Sequence, residues 1–249
     1  MPDMTTFFNI CASERLKMSR SHIWLLMLIS PMFVFLIALT VANTASFPWE
    51  NLMLQSIILH AVFMLPVVSG LLPAFICRYE HAGGGWKQLL SLPVARAQVY
   101  FSKFVIVITL LALCQLLALL AILGAGMIHG IDQPIPWSVL LRSFIGGWVA
   151  CLPLVALQLG VSLSWSSFAA PLAINVAFTI PNLMVVNSGK IGPFYPWAQP
   201  LLAMMPKVGN ETYTFGAFNL PLQSLMITVL GSFLLFLTAG LLYFCKREI

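Results

Sequence analysis

Apolar residues fall along this chain in long blocks, and the polar residues are confined to the short stretches between them. Six blocks, at 22–42, 52–76, 104–125, 138–163, 168–186 and 220–244, are long enough to cross a bilayer, whose hydrocarbon core of about 30 Å takes roughly 20 apolar residues. The pattern predicts an all-α integral membrane fold, one domain over 1–249 with six transmembrane helices. Pro31 sits inside the first block, and His60, Pro66, Gly70 and Pro73 interrupt the second. Prolines remove backbone donors, and the groups they free are tolerated at membrane depth only where protein or a wet cavity satisfies them. The second span is therefore expected to face other helices rather than lipid alone. The very short connection Ser164-Trp165-Ser166-Ser167 predicts that the fourth and fifth spans form an antiparallel hairpin.

Two stretches outside the blocks are less polar than ordinary loops. The N-terminal stretch 1–21 mixes Phe7, Phe8, Ile10, Cys11 and Met18 with Glu14, Arg15, Lys17 and Arg20. The recurrence of Phe7, Phe8 and Cys11 predicts a helix lying in the membrane interface and leading into the first span; a frayed basic tail is the plainer alternative. No small-residue cleavage site ends the first block, which reads as a retained span rather than a signal peptide. The stretch 187–219 carries Pro193, Pro196, Pro200 and Pro206 among Phe194, Tyr195, Trp197, Leu201, Leu202, Met204 and Met205. Two readings fit it: helical pieces that dip into the outer leaflet with Tyr195 and Trp197 at headgroup level, or an aromatic-belt loop resting on the surface.

Composition removes the soluble alternative, because 60% hydrophobic and 8% charged residues cannot supply a solvated surface. The net charge of +5 is unevenly placed. Arg15, Lys17 and Arg20 precede the first span, Arg78, Lys87, Arg96 and Lys103 lie between the second and third, and Lys246 and Arg247 follow the sixth. The opposite side has only Lys190 and Lys207, so the positive-inside rule puts both termini in the cytoplasm. This placement points to topology and to membrane lipid, not to nucleic acid. None of the five cysteines, Cys11, Cys77, Cys114, Cys151 and Cys245, falls in an external loop, and no disulfide framework or metal-ligand spacing is expected. Cys114 and Cys151 read as small buried residues, and Cys77 and Cys245, at span ends, as lipidation candidates.

Several chemistries are missing. The run Gly83-Gly84-Gly85-Trp86-Lys87-Gln88 lacks both the spacing and the hydroxyl of a phosphate-binding loop. Ionisable groups near the midplane would mark ion coupling, but the spans offer little beyond His60, read as an interhelical hydrogen-bonding residue, and Arg142, which can snorkel to headgroups. His22, His60, His81 and His129 are scattered, Ser162, Ser164, Ser166 and Ser167 read as helix-end residues, and no Asp or Glu lies within a block, so no enzyme is expected.

The polar interruption at 77–103 carries the functional signal. Glu80 is its one acidic residue, Gly83, Gly84 and Gly85 permit a sharp turn, and Trp86, Leu89 and Leu90 form an apolar stripe on a short helix that Pro93 stops. Residue physics leaves two readings open, a docking helix for a soluble partner and an anchor in the headgroups. The ordered series Glu80, Gly84, Leu89, Leu90, Pro93, Arg96 and Lys103 resembles the loop between spans two and three in ABC-2 type permease subunits of ATP-binding-cassette exporters. Glu14, Lys17, Arg20 and Ser21, with Pro31 beyond them, resemble the same family's N-terminal connecting helix and first span. Gly85 stands where that family often has Thr, which removes a side-chain cap.

The resemblance implies a transport subunit rather than an enzyme, with 77–103 as a cytoplasmic coupling loop and 187–219 as an extracellular reentrant segment before span six. It implies that Trp86, Leu89 and Leu90 pack into a groove of an ATPase while Glu80 and Lys87 make the polar contacts that orient the loop. The implied partners are a cytoplasmic ABC ATPase dimer, which would carry the ATP and magnesium that this chain does not bind, and a second six-span permease subunit. Size and composition resemble the permeases of lantibiotic-immunity and bacitracin-resistance exporters in the bacterial plasma membrane, which expel amphipathic peptides. Export of a drug, ion or surface lipid uses the same architecture, and a non-transporting scaffold or sensor is the competing class.

Overall fold

The computed structural model describes residues 4–19, 23–41, 48–81, 84–205 and 221–246, and among them it contains helices, turns and no strand. Helix α1 (Met4–Ser19) is followed by α2 (Ile23–Thr40). Helices α3 (Pro48–Leu59) and α4 (Leu65–His81) are joined by a π-helical turn over His60–Met64, and the short α5 (Gly85–Ser91) precedes α6 (Arg96–Ile128). Helices α7 (Trp137–Ala150) and α8 (Leu152–Ser164) are nearly continuous, then come α9 (Ala169–Thr179), α10 (Asn182–Val185), α11 (Gln199–Met204) and α12 (Leu222–Lys246).

Among the described residues five helical stretches are long and apolar enough to cross a membrane: Ile23–Thr40, Pro48–His81, Arg96–Ile128, Trp137–Ser164 and Leu222–Lys246. The block at 168–186 forms the shorter stretch Ala169–Val185, which at ~1.5 Å per residue rises only about 25 Å. It breaks between α9 and α10, where Pro181 has no N–H to continue the ladder. The interruption expected at 77–103 is also shorter than hydropathy suggested, because α4 runs on to His81 and α6 begins at Arg96. Hydropathy marks where apolar side chains stop, whereas the backbone stays helical because each further turn pairs its polar groups.

The second span is enclosed, as its broken backbone requires. Its most apolar stretch is 67% buried, against 33% in α2 and 17% in α12. In the π-turn the N–H of Leu65 reaches back five residues to the His60 carbonyl. Pro66 offers no N–H to the Val62 carbonyl, and Asn182 Nδ2 donates to it instead at 2.9 Å. Asn175 Nδ2 donates to the carbonyls of Pro66 and Val67 at 3.0 and 3.2 Å. This wedge fits because residue 70 is glycine: a Cβ there would fall 2.3 Å from the Asn175 side chain. Both asparagines come from the α9–α10 stretch, so the short helix repairs the bent one.

The middle of the stretch 187–219 is also internal. All six residues of α11 are buried, against Gly146 and Gly147 of α7. Trp197, expected at headgroup level, is 5% exposed, stacks on Phe178 at 5.0 Å and donates Nε1–H to Asn175 Oδ1 at 2.8 Å. Its indole N–H is worth more on a buried amide oxygen than at a wet surface. Residues 206–219, the rest of that stretch, lie outside the described residues, as do Gly83, Arg20, Ser21, His22, Lys207 and Arg247. Cys114 and Cys151 are buried as expected, and so is Cys77, which removes it as a lipidation candidate; Cys245 is exposed.

Candidate functional site

The residues singled out before and after the second span meet at one end of the bundle. The turn between α4 and α5 rests on two glycines with different duties. Gly84 has φ +75°, a left-handed conformation that favours glycine, and its carbonyl accepts from the N–H groups of Lys87 and Gln88 at 3.0 and 3.2 Å, opening α5. Gly85 lies so close to α4 that a Cβ would fall 2.9 Å from Glu80 Cα. The helix therefore starts at Gly85 without a side-chain cap, and threonine would not fit where it stands. At the other end Leu92 is extended, as the residue before Pro93 prefers, and α5 stops.

Beneath this turn four charges form a closed ring. Lys17 Nζ donates to Glu14 Oε1 at 2.8 Å and to Glu80 Oε1 at 2.7 Å. Lys103 Nζ donates to Glu14 Oε2 at 2.8 Å and lies 2.9 Å from Glu80 Oε2, an ion pair without hydrogen-bond alignment. Lys103, Glu14 and Glu80 are 0%, 2% and 3% exposed, and Lys17 alone reaches solvent. Isolated charges so deeply buried would each cost several kcal/mol, so the equal count of two acids and two bases is what makes the ring tolerable. Burial alone would raise the Glu14 carboxyl, but Lys103 and then Lys17 outweigh it and hold it below its ordinary value. Burial would likewise lower the Lys17 ammonium, and Glu14 and Glu80 outweigh that and raise it.

The ring fastens α1 to both α4 and α6. The face of α1 buried against the rest of the chain is Ile10, Glu14 and Met18, at four-residue spacing, while Phe8, on the face expected to lie in the membrane interface, is 62% exposed. A carboxylate in the middle of the stripe concealed it from a hydropathy pattern, and its partner Lys103 lies 89 residues away.

Trp86 turns inward, contrary to the expectation that it fills a partner's groove. Its ring packs on Phe244 of α12 at 5.4 Å and lies 5.6 Å from Lys103 Nζ, and Nε1–H donates to His81 Nδ1 at 3.1 Å. Nε2 of His81 is then the donor to the Ser162 carbonyl of α8 at 2.8 Å. Arg96 Nη1 donates to the carbonyls of Phe244 and Cys245 at 3.4 and 3.2 Å, placing a cation on the C-terminal end of α12. The largest apolar group of α5 is thus spent within this chain. Lys87, Gln88, Ser91, Leu92 and Pro93 remain exposed, and Leu89 and Leu90 are half-buried. An open cleft of about 680 Å³ lies beside this end, between Tyr79 and the outer face of α1 at Asn9, Ser13 and Leu16.

Residues 10–182, from within α1 to the first residue of α10, match the family described as ABC-2 family transporter protein. The chain belongs to the ABC-2 transporter family. No individual curated protein matches it. Members of the ABC-2 family are membrane transport subunits that typically work with a separate ATPase, and this one is a multi-pass membrane protein by both its family and its apolar helices. The match includes the charge ring and α5 and stops before α11 and α12.

Within this ABC-2 chain His60 is a tie between helices. Ser30 Oγ lies 2.6 Å from Nδ1 and Gln115 Oε1 lies 2.9 Å from Nε2, while Gln115 Nε2 donates to the Phe144 carbonyl at 3.4 Å. An amide oxygen only accepts, so Nε2 carries the proton, Nδ1 accepts from the serine, and both ring nitrogens are occupied. Sequence reading gave His81 and Ser162 no part in this site and did not single out Phe244. An apolar phenylalanine near the end of the last helix carries no mark of its role until Trp86 is seen against it.

Proposed function

We propose that this chain is the membrane-spanning permease subunit of an ATP-driven exporter in the bacterial plasma membrane, driven through α5 by a cytoplasmic ABC ATPase dimer that holds the ATP and magnesium. The observation that carries the reading is the division of α5 into two faces, with Trp86 anchored among α4, α6 and α12 and Lys87, Gln88 and Leu92 left outward. A helix that merely floated in headgroups would not need its tryptophan bonded to His81. The basic residues at this end orient it, with both termini, toward the cytoplasm. The short α9–α10 stretch with its neighbours serves as the fifth of six crossings, and 187–219 as a reentrant extracellular segment.

Force on the outer face of α5 passes through Trp86 and Arg96 to α12, and through the charge ring to α1, so these elements move together as the ATPase pair closes. Leu89 and Leu90 contribute the apolar part of the ATPase contact and Lys87 the polar part. The permease pairs with a second copy or a related six-span subunit, because the described bundle is packed through its middle and a pathway needs a second wall. The cargo is an amphipathic membrane-active peptide of the lantibiotic type, supported by the likeness in size and composition to immunity permeases.

The test pairs outward and inward substitutions. Lys87→Glu with Leu92→Asp should abolish ATPase co-purification and cargo-stimulated ATP hydrolysis while leaving thermal unfolding unchanged; Trp86→Ala should lower both. Retained stimulation in the outward double variant would defeat the assignment.

A further inference from the structure

Between α6 and α7 the bundle surface is cut by a groove of about 220 Å³ whose lining includes Gln115, Leu116, Leu119, Leu141, Ile145 and Trp148. Its polar atoms are already used. Gln115 bonds to His60 and to the Phe144 carbonyl, and Trp148 Nε1–H donates to the Ile108 carbonyl at 2.8 Å, so neither offers the groove a free donor or acceptor. Water and peptide backbone would therefore lose hydrogen bonds on entering, whereas a saturated hydrocarbon chain loses none. The volume lies below the ~300–1,000 Å³ of sites that enclose drug-sized molecules, and suits a flexible chain segment. Leu116, Leu141 and Ile145 are 51%, 43% and 56% exposed at its rim, on two helices that cross the membrane, so the groove opens where acyl chains stand.

Arg142 puts a charge beside this apolar slot, outside its lining. It is next to Leu141 and three residues before Ile145, hence on the same side of α7, and it is exposed. It makes no hydrogen bond, ion pair or ring contact with the described residues. An unpaired guanidinium in the second turn of a span is costly unless it reaches a headgroup anion, and its planar fork suits phosphate. We propose that the α6–α7 groove is a binding site for one acyl chain of an anionic phospholipid whose phosphate is held by Arg142. The groove runs from Gln115, halfway along the bundle, toward Leu141 and Arg142 near the end opposite the charge ring, so the lipid belongs to the outer leaflet; the leaflet alone rests on the orientation proposed above.

The experiment uses the full-length protein in mild detergent, incubated with phosphatidylglycerol or with phosphatidylcholine of the same chains, with retained lipid counted by native mass spectrometry. One phosphatidylglycerol per chain should survive activation that strips phosphatidylcholine. Retention should fall about fivefold in Arg142→Gln, the effect of one arginine near a headgroup, and also in Leu116→Trp, which fills the groove. Phosphatidylglycerol with brominated chains should quench the emission that wild type has and Trp148→Phe lacks. Equal retention of the two lipids, retention unmoved by either substitution, or no quenching of Trp148 overturns the proposal. So does a Leu116→Trp protein that changes oligomeric mass but keeps its lipid, which would make the groove a contact between copies. The quenching arm reads the wild-type groove directly and decides the matter if a variant melts early.

Discussion

Helices are tied by polar groups in two regions of this molecule, and the regions use opposite chemistry. At the α1–α5 end the tie is ionic, with Glu14, Lys17, Glu80 and Lys103 in a closed ring. Halfway along the bundle it is neutral, with Ser30, His60 and Gln115 in one cluster and Asn175, Asn182 and Trp197 in another. The difference follows distance from water. Near the bundle end Lys17 keeps contact with solvent and the charges cancel in pairs, so desolvation is limited. In the middle, the groups needing partners are backbone carbonyls freed by Pro66 and the π-turn, and an amide supplies a donor without carrying a charge into an apolar interior. The ionic tie is therefore the one that solvent, pH or a docking partner can loosen, and the neutral ties hold the bundle while it does.

The largest effect should come from unbalancing the ring. Lys103→Met leaves two buried carboxylates facing a single lysine and should cost about 3–5 kcal/mol, read as a fall in thermal unfolding in detergent. Adding Glu14→Gln to Lys103→Met should restore part of it, and an absence of recovery would mean that the ring does not act as a unit. Next is the wedge in the second span. Gly70→Ala puts a Cβ 2.3 Å from Asn175 and should cost about 1–3 kcal/mol. Asn182→Leu strips the Val62 and Trp197 carbonyls of their donor, at a similar cost of about 1–3 kcal/mol.

A smaller effect separates the regions by pH. The Glu14 carboxyl is held below its ordinary 4.5, so its contribution is full above that value and is lost as pH falls through the lower folded one. The Lys17 ammonium is raised above 10.5, so its contribution is full below that value and is lost as pH rises through the higher folded one. Hydrogen exchange in α1, corrected for intrinsic rates, should therefore quicken below about pH 4.5 and above about pH 10.5, with α9 unchanged. Parallel behaviour of α1 and α9 would erase the distinction between the two ties. The smallest effect on folding is expected from Lys87→Ala, which should leave the melting temperature where it is and weaken only the proposed ATPase contact.

Much of this was legible in the residue order. Three of the six apolar blocks became single long helices, the fourth became the nearly continuous α7 and α8, and the second, with Pro66 and Pro73, is the most enclosed of the five long stretches. The turn at Gly84 and Gly85 and the stop at Pro93 were readable because backbone conformation there is local. The orientation of Trp86 was not, because a tryptophan on a short helix can face a partner or its own bundle, and only Phe244, His81 and Lys103 decide between them. Nor was the role of α11, whose Pro200 and apolar residues suit a surface loop or a buried turn until Gly146 and Gly147 supply the space.

By itself the sequence determined the environment of this protein, its helical class, its charged end and its family motif, since these depend on composition and on spacings within one turn or one block. Tertiary structure alone decided which charges meet, which face of α5 is free and which carbonyls the asparagines serve. Those outcomes depend on pairs such as Glu14 with Lys103 and Val62 with Asn182, whose separation along the chain leaves no period to read and whose energies exist only once packing has excluded water.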